Sequence, residues 1–167
     1  MPRPRPIPPR AQFNIVPNII KEPKALGRAL DVIVSDFNDD KRTENIDLLR
    51  VEHKTTDGAT GFPVDLILHF AITGLPRYPD SWHVSLLLYN VRIDGFGYER
   101  RFRGMDGAWC SGYHRHRWNA ETLNADGKEA MSLWPTDPTE MTVREFLGRA
   151  FDEMNVSYED RYATDLL

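Results

Sequence analysis

The sequence contains one cysteine, Cys110, and no long run of apolar residues. A single cysteine excludes a disulfide within the chain and is typical of a reducing compartment. No apolar run approaches the roughly 18 residues that a membrane-spanning helix needs. The arginine-bearing N-terminus also lacks the apolar stretch of a secretory signal. These absences predict a cytoplasmic protein without membrane contact.

Length and composition predict one folded domain. The chain has 167 residues, of which 41% are hydrophobic and 28% charged, as is ordinary for a globular protein. A chain of this length buries enough surface to fold without a disulfide or a metal. Residues 1–10 hold five prolines and three arginines, which oppose both helix and sheet. We therefore expect a disordered Pro/Arg-rich arm over residues 1–12 and a single α+β domain over residues 13–167.

Hydrophobic spacing predicts the elements of that domain. Period-two or continuous apolar runs predict several strands, and spacing of three and four residues predicts a helix over residues 23–37. The predicted strands cover residues 45–54, 64–72, 83–94, 113–118 and 129–134. The glycine-rich residues 95–112 predict a long loop or an irregular hairpin. Together the patterns predict one antiparallel sheet of about five to six strands, packed by an N-terminal helix and a capped C-terminal helix.

The C-terminal helix has the most complete local signal. Thr142 and Glu145 have the spacing of a capping box, and Met141 and Phe146 have that of a hydrophobic staple. Apolar residues then recur on one face for three turns. We expect this helix to cover the sheet.

Charge is unevenly distributed along the chain. Residues 92–117 contain six arginines against three acidic residues, so this segment carries +3 while the rest of the chain carries −7. Guanidinium groups match phosphate oxygens, and aromatic rings stack on bases. The predicted RNA-binding residues are Arg101, Arg103, Arg115, Arg117 and Trp118. The aromatic residues of the segment that could also stack bases are Tyr98, Phe102, Trp109 and Tyr113. The alternative is a solvated loop whose arginines pair with the acidic remainder of the surface.

Two histidines in the predicted strand 113–118 are the candidate catalytic residues. His114 and His116 share one face of a strand, with Cβ atoms about 7 Å apart. Such a pair suits a general base and a general acid in metal-independent RNA cleavage. It equally suits two metal ligands, or two structural histidines. The prediction chosen is a catalytic pair with no metal and no cofactor.

A metal site would need further ligands, and a nucleophile a partner. The third metal ligand would come from His53, His69, His83 or Asp106. Cys110 beside Trp109 has no orienting partner in a recognisable order, so inert packing is its expected role.

The second half of the chain resembles a family of small prokaryotic proteins akin to TumE-like toxin components of toxin–antitoxin systems. The stretches that carry the resemblance are YNVRIDG (89–95), MDG (105–107), YHRHRW (113–118) and the helix of residues 141–155. The loop departs from the family, because GYERRFRG replaces a segment that usually bears histidine and proline. The resemblance implies an antiparallel sheet with helices and a ribonuclease role, with His114 and His116 as the retained pair.

These observations lead to two functional hypotheses, beside a third option, a metalloenzyme or metal-binding module. The first is a toxin-like, RNA-acting endoribonuclease whose partners are RNA and an antitoxin or other protein. The second is a non-enzymatic interaction protein, from a mobile element or phage, that blocks a host or defence complex through its acidic surface. Exposed edges of a small sheet also favour a homodimer. Exposed imidazoles in a positive cleft would favour the enzyme, whereas buried histidines would favour the interaction protein.

Overall fold

The computed structural model describes residues 10–39, 47–53 and 68–159. Within these residues the chain forms eight strands and three α-helices, with short 3-10 helices at 10–15, 79–81 and 138–140. In chain order the elements are α1 (Val16–Lys21), β1 (Lys24–Ala29), α2 (Leu30–Asp39), β2 (Asp47–His53), β3 (Leu68–Thr73), β4 (His83–Leu88), β5 (Val91–Arg103), β6 (Trp109–Asn119), β7 (Asn124–Ala130), α3 (Val143–Glu153) and β8 (Val156–Glu159).

The strands follow the spatial order β7-β6-β5-β4-β3-β2-β1-β8. Strands β3 to β7 form a consecutive antiparallel sheet. Strand β2 pairs with β3 through residues 47–50 and with β1 through residues 51–53, and β1 pairs in parallel with β8. The predicted α+β class, with helices N-terminal and C-terminal to an antiparallel sheet, is confirmed.

One face of the antiparallel sheet carries the core. Alternate residues of β4 are buried while those between them are half-buried, as period-two geometry requires. Helix α3 packs on this face, with the ring of Phe151 5.3 Å from Phe70 and the ring of Phe146 5.8 Å from Trp82. The predicted capping box of Thr142 and Glu145 is present at its N-terminus.

Two predicted elements are divided in the structure. Residues 23–37, predicted as one helix, form the strand Lys24–Ala29 followed by the helix Leu30–Asp39. Pairing of β1 with β2 and β8 overrides the local helical spacing there. Residues 83–94, predicted as one strand, turn back at Tyr89 and Asn90, whose φ angles are 48° and 66°. Positive φ at both central residues is the mark of a type I′ hairpin, which asparagine tolerates well.

The glycine-rich stretch predicted as a long loop or irregular hairpin is a hairpin of two long strands, Val91–Arg103 and Trp109–Asn119. Its turn is short, because Gly104 and Ala108 close it with a backbone hydrogen bond of 2.8 Å. The strand predicted at residues 129–134 instead covers Asn124–Ala130. Residues 1–9 of the predicted arm, and residues 64–67 of a predicted strand, lie outside the described residues.

Candidate functional site

The histidine pair lies on the sheet face opposite α3. Strand β6 alternates its side chains, and the ring of Tyr113 lies 5.7 Å from Phe146 of α3, so Tyr113 and Arg115 face the helix. His114 and His116 therefore project from the other face. Their ring centroids are 4.7 Å apart, nearly perpendicular at 79°. The prediction that both imidazoles share one side of an extended strand is confirmed.

Other aromatic rings complete a cluster around this pair. The ring of His83, on β4, has its centroid 6.5 Å from that of His116. The ring of Phe102, on β5, lies 4.7 Å from His114. We call His83, His114 and His116 the imidazole cluster. The hairpin pairing of β4, β5 and β6 brings its members together across the sheet.

The histidine pair does not open toward water, although the RNA-cleaving hypothesis requires that opening. His114 is 0% exposed and His116 3% exposed. His114 lies close enough to the backbone of Gly112 for a hydrogen bond that raises its pKa, whereas neither ring nitrogen of His116 has a hydrogen-bond partner in the described residues. The spacing of residues along a strand determines which side of the strand each side chain projects from. Whether that side is buried depends on the side chains of neighbouring strands.

A salt bridge between the flanking strands covers the pair. Lys128 Nζ, on β7, donates to both carboxylate oxygens of Glu99, on β5, at 2.7 and 2.8 Å. Glu99 lies opposite Gly112, and Lys128 lies opposite His116, on the two sides of β6. The bridge must therefore pass over β6 on its histidine face.

Burial controls the protonation of both rings. It lowers the pKa of His114 to about 4, and nearby Glu99 and the backbone of Gly112 counter this only in part. Burial lowers the pKa of His116 to about 3, assisted by the positive charge of Arg92. Both imidazoles are consequently neutral at pH 7. General acid catalysis needs a group that holds a proton near the working pH, and neither ring meets that requirement.

The predicted RNA-binding arginines fall into two groups. Arg115 is buried and forms a bidentate pair with Asp94, with Nε–Oδ1 at 2.9 Å and Nη2–Oδ2 at 2.7 Å. Arg117 is half-buried and pairs with Glu129. The Arg115 guanidinium is therefore not open to a phosphate, whereas the side chain of Arg117 is still 37% exposed. Trp118 is half-buried, with its ring stacked 6.0 Å from Phe13.

Arg101 and Arg103, by contrast, are exposed at the end of the β5–β6 hairpin. Their guanidinium carbons lie 4.0 and 4.7 Å from the ring centroid of Trp109. Trp109 is 56% exposed and Met105, in the turn, is 65% exposed. We call Arg101, Arg103, Met105 and Trp109 the hairpin patch. Of the aromatic residues that the sequence suggested for stacking, Phe102 and Tyr113 are buried.

One charged residue in the core was not anticipated from the sequence. Lys24 is 1% exposed, and its Nζ donates to the carbonyl oxygens of Ile20, Glu22 and Met154 at 3.1, 2.7 and 3.0 Å. Burial lowers its pKa to about 8. Its contacts join the ends of α1 and α3 to β1, which is a structural role. Two of these carbonyls lie within four residues of Lys24, but its burial also depends on the remote end of α3, which the local sequence does not reveal.

The remaining candidates have other surroundings. Asp106 caps the hairpin turn by accepting from the backbone N–H of Ala108 at 3.0 Å, and Cys110 is half-buried. The side chain of His53 lies outside the described residues. As the side chains stand in residues 10–39, 47–53 and 68–159, no three His, Cys, Asp or Glu groups are arranged to hold a metal ion. No helix in that same part of the chain is long and apolar enough to cross a membrane.

Comparison with known proteins gives no relative. No protein-family model, curated protein or solved structure matches the chain.

Proposed function

We propose that this protein binds single-stranded RNA through the hairpin patch and does not cleave it. The observation that carries the proposal is the contact of two exposed guanidinium groups with one exposed indole, Arg101 and Arg103 on Trp109. An exposed aromatic ring stacks on an unpaired base, and adjacent guanidinium groups bind its phosphates. This combination is typical of sites that recognise single strands with little sequence preference.

The surroundings of the histidine pair favour binding over cleavage. An RNA phosphate would have to contact both His114 and His116, which are buried under the Glu99–Lys128 bridge. Their lowered pKa values also leave no imidazolium to protonate a leaving oxygen at pH 7. A catalytic role for the pair, and kinship with TumE-like toxins, remain predictions from the sequence.

The charge balance limits how much RNA the protein engages. The chain carries −4 in total, so phosphates are repelled from most of its surface. Contact confined to Arg101 and Arg103 would neutralise about two phosphates. Since single strands give a slope of about −0.7 per phosphate, the logarithm of the binding constant should fall with log salt at a slope near −1.4.

The test is fluorescence anisotropy with a labelled unstructured RNA oligonucleotide at several salt concentrations. Trp109→Ala should weaken binding by at least about fivefold, because stacking contributes about 1–3 kcal/mol per base. Arg101→Ala should weaken binding and make the salt slope shallower. The matched control is Arg100→Ala, which removes an exposed arginine that lies toward Asp80 and should change affinity little.

Three outcomes would overturn the proposal. The first is no RNA binding by the wild type, and the second is equal affinity in the wild type and Trp109→Ala. The third is cleavage of the RNA by the wild type, with chelator present, that His116→Ala abolishes. If the patch binds an acidic protein and not RNA, the interaction-protein hypothesis replaces the RNA proposal. Trp, Arg and Met are also enriched in protein interfaces.

A further inference from the structure

A groove lies beside the hairpin patch, lined by residues of α1, the β5–β6 turn, β6 and β7. Its volume is about 420 Å³, which is in the range of sites that bind small molecules. Met105, the exposed methionine of the hairpin patch, forms part of its wall. The groove also contains Ile20, Lys21, Arg117, Trp118 and Glu129. We call it the Trp118 groove.

The β5–β6 hairpin is bent so that its turn reaches this groove. A straight strand would place Trp109 and Arg117 about 26 Å apart, with the turn farther still. Met105 Cε nevertheless lies 3.8 Å from the position that a Cβ at Gly127 would take, and Gly127 lies opposite Arg117. The pairing register of β5 and β6 shifts within residues 99–102, and such a bulge bends a strand. The hairpin patch and the Trp118 groove therefore form one continuous surface.

Trp118 gives the groove an aromatic ring that is held in place. The side chain is half-buried, and its ring stacks on Phe13 with centroids 6.0 Å apart and planes 15° from parallel. The same residue lines the groove. Unpaired bases stack on aromatic rings with little dependence on sequence, at about 1–3 kcal/mol per base. A ring already packed against Phe13 loses little freedom when a base stacks on it.

The charged side chains of the groove leave one positive charge unbalanced. Arg117 pairs with Glu129, and this hydrogen bond lowers the pKa of Glu129, so the two are oppositely charged at pH 7. Lys21 is exposed in the last turn of α1. Two cations and one anion give the groove +1, in a chain that carries −4 in total. The groove therefore attracts an anionic group such as a phosphate, which most of the surface repels.

We propose that the Trp118 groove binds a second nucleotide of the RNA strand that occupies the hairpin patch. The base stacks on Trp118, and the phosphate contacts Lys21. This inference rests on the RNA proposal, because the strand reaches the groove from the hairpin patch across Met105. An apolar side chain of a partner protein would fill the groove but would leave the charge of Lys21 without a counterpart. A positive charge beside an aromatic ring therefore favours a nucleotide.

The affinity of the full chain for an unstructured RNA of about 12 nucleotides, measured at several salt concentrations, tests the contact with Lys21. Arg101 and Arg103 alone give a salt slope near −1.4, and one further phosphate makes the slope about −2.1. Lys21→Gln should return it to about −1.4. At about 0.1 M salt this variant should bind about fivefold more weakly, because one phosphate contributes about 0.7 logarithmic units relative to about 1 M salt. The control is Arg149→Gln, which removes the same charge from an exposed position of α3 outside the groove and should change affinity little.

Tryptophan fluorescence tests stacking on Trp118 directly. The chain has four tryptophans, of which Trp82 and Trp134 are buried, with 4% and 8% exposure. Trp109→Phe removes the tryptophan signal of the hairpin patch and leaves a ring that still stacks on a base. Saturating RNA should then quench the remaining fluorescence, and Trp118→Phe in the same background should abolish that quenching. Thermal unfolding establishes that each variant is folded.

Two results would overturn this inference and leave the RNA proposal intact. The first is equal affinity of Lys21→Gln and Arg149→Gln for an RNA whose binding Trp109→Ala weakens. The second is fluorescence of Trp109→Phe that saturating RNA does not quench. If the wild type binds no RNA at all, both proposals fail together.

Discussion

Acidification should destabilise this protein chiefly through two buried side chains. His114 and His116 have folded-state pKa values of about 4 and about 3, below the 6.5 of an unfolded histidine. A depressed histidine pKa means that the unfolded chain takes up protons first as the pH falls. Stability is therefore complete above pH 6.5 and decreases progressively toward pH 4 and pH 3.

The magnitude between pH 7 and pH 5 follows from linkage. Over this range each unfolded imidazole becomes almost fully protonated, while each folded one stays neutral. Integration gives a loss of about 2 kcal/mol per ring and about 4 kcal/mol for the pair. A loss of this size requires only that the folded pKa values lie well below 5, as burial of His114 and His116 dictates.

Urea denaturation in the presence of chelator, at pH 7 and pH 5, measures this loss. His114→Leu and His116→Leu should each remove about 2 kcal/mol of the pH dependence. The side chains around the rings are the same in each variant and in the wild type, so the difference from the wild type isolates one imidazole. If both variants keep the full pH dependence of the wild type, the inference that these rings stay neutral in the fold is refuted.

Three further predictions concern stability at neutral pH, each measured by urea denaturation. Asp94→Ala leaves Arg115 buried without its bidentate partner and should lower the free energy of unfolding by about 3–5 kcal/mol. Asp94→Asn should lower it by less. Equal stability of Asp94→Ala and the wild type would contradict the role of the pair. Thr142→Ala removes the cap of α3 and should cost about 1 kcal/mol, whereas Thr142→Ser should retain most of it. Gly95→Ala would place a Cβ 2.6 Å from the backbone oxygen of Val84, so β4 and β5 must separate locally. We expect the free energy of unfolding to fall by at least about 1 kcal/mol. An unchanged urea midpoint would show that the close approach of the two strands is not rigid.

Two patterns that depend on residues close in sequence were predicted correctly. The capping box of Thr142 and Glu145 involves atoms three residues apart, so the sequence alone specifies it. The common face of His114 and His116 follows from strand alternation. The strand that begins at Lys24 was missed, since its partners are β2 and β8, which are remote in sequence.

The division of the predicted strand 83–94 has a different cause. Tyr89 and Asn90 adopt positive φ, but a Tyr–Asn pair between apolar residues lacks the Asn–Gly signal that usually marks such a hairpin. The apolar run therefore matched a single central strand. Gly95 and Gly97, which suggested a loop, instead lie in β5, where neighbouring groups take the space of their missing side chains.

The sequence alone determined the α+β class, the capped helix α3 and the side of the strand on which the two histidines project, because these depend on spacing and on contacts within one turn. Only the tertiary structure decided which of the basic and histidine residues meet solvent. Asp94 reaches Arg115 from the adjacent strand, and the Glu99–Lys128 bridge covers the imidazoles from both neighbouring strands. Arg101 and Arg103 remain exposed with Trp109 because they lie at the end of the hairpin. Exposure depends on which remote segments pack over a side chain, and spacing along the chain does not encode that.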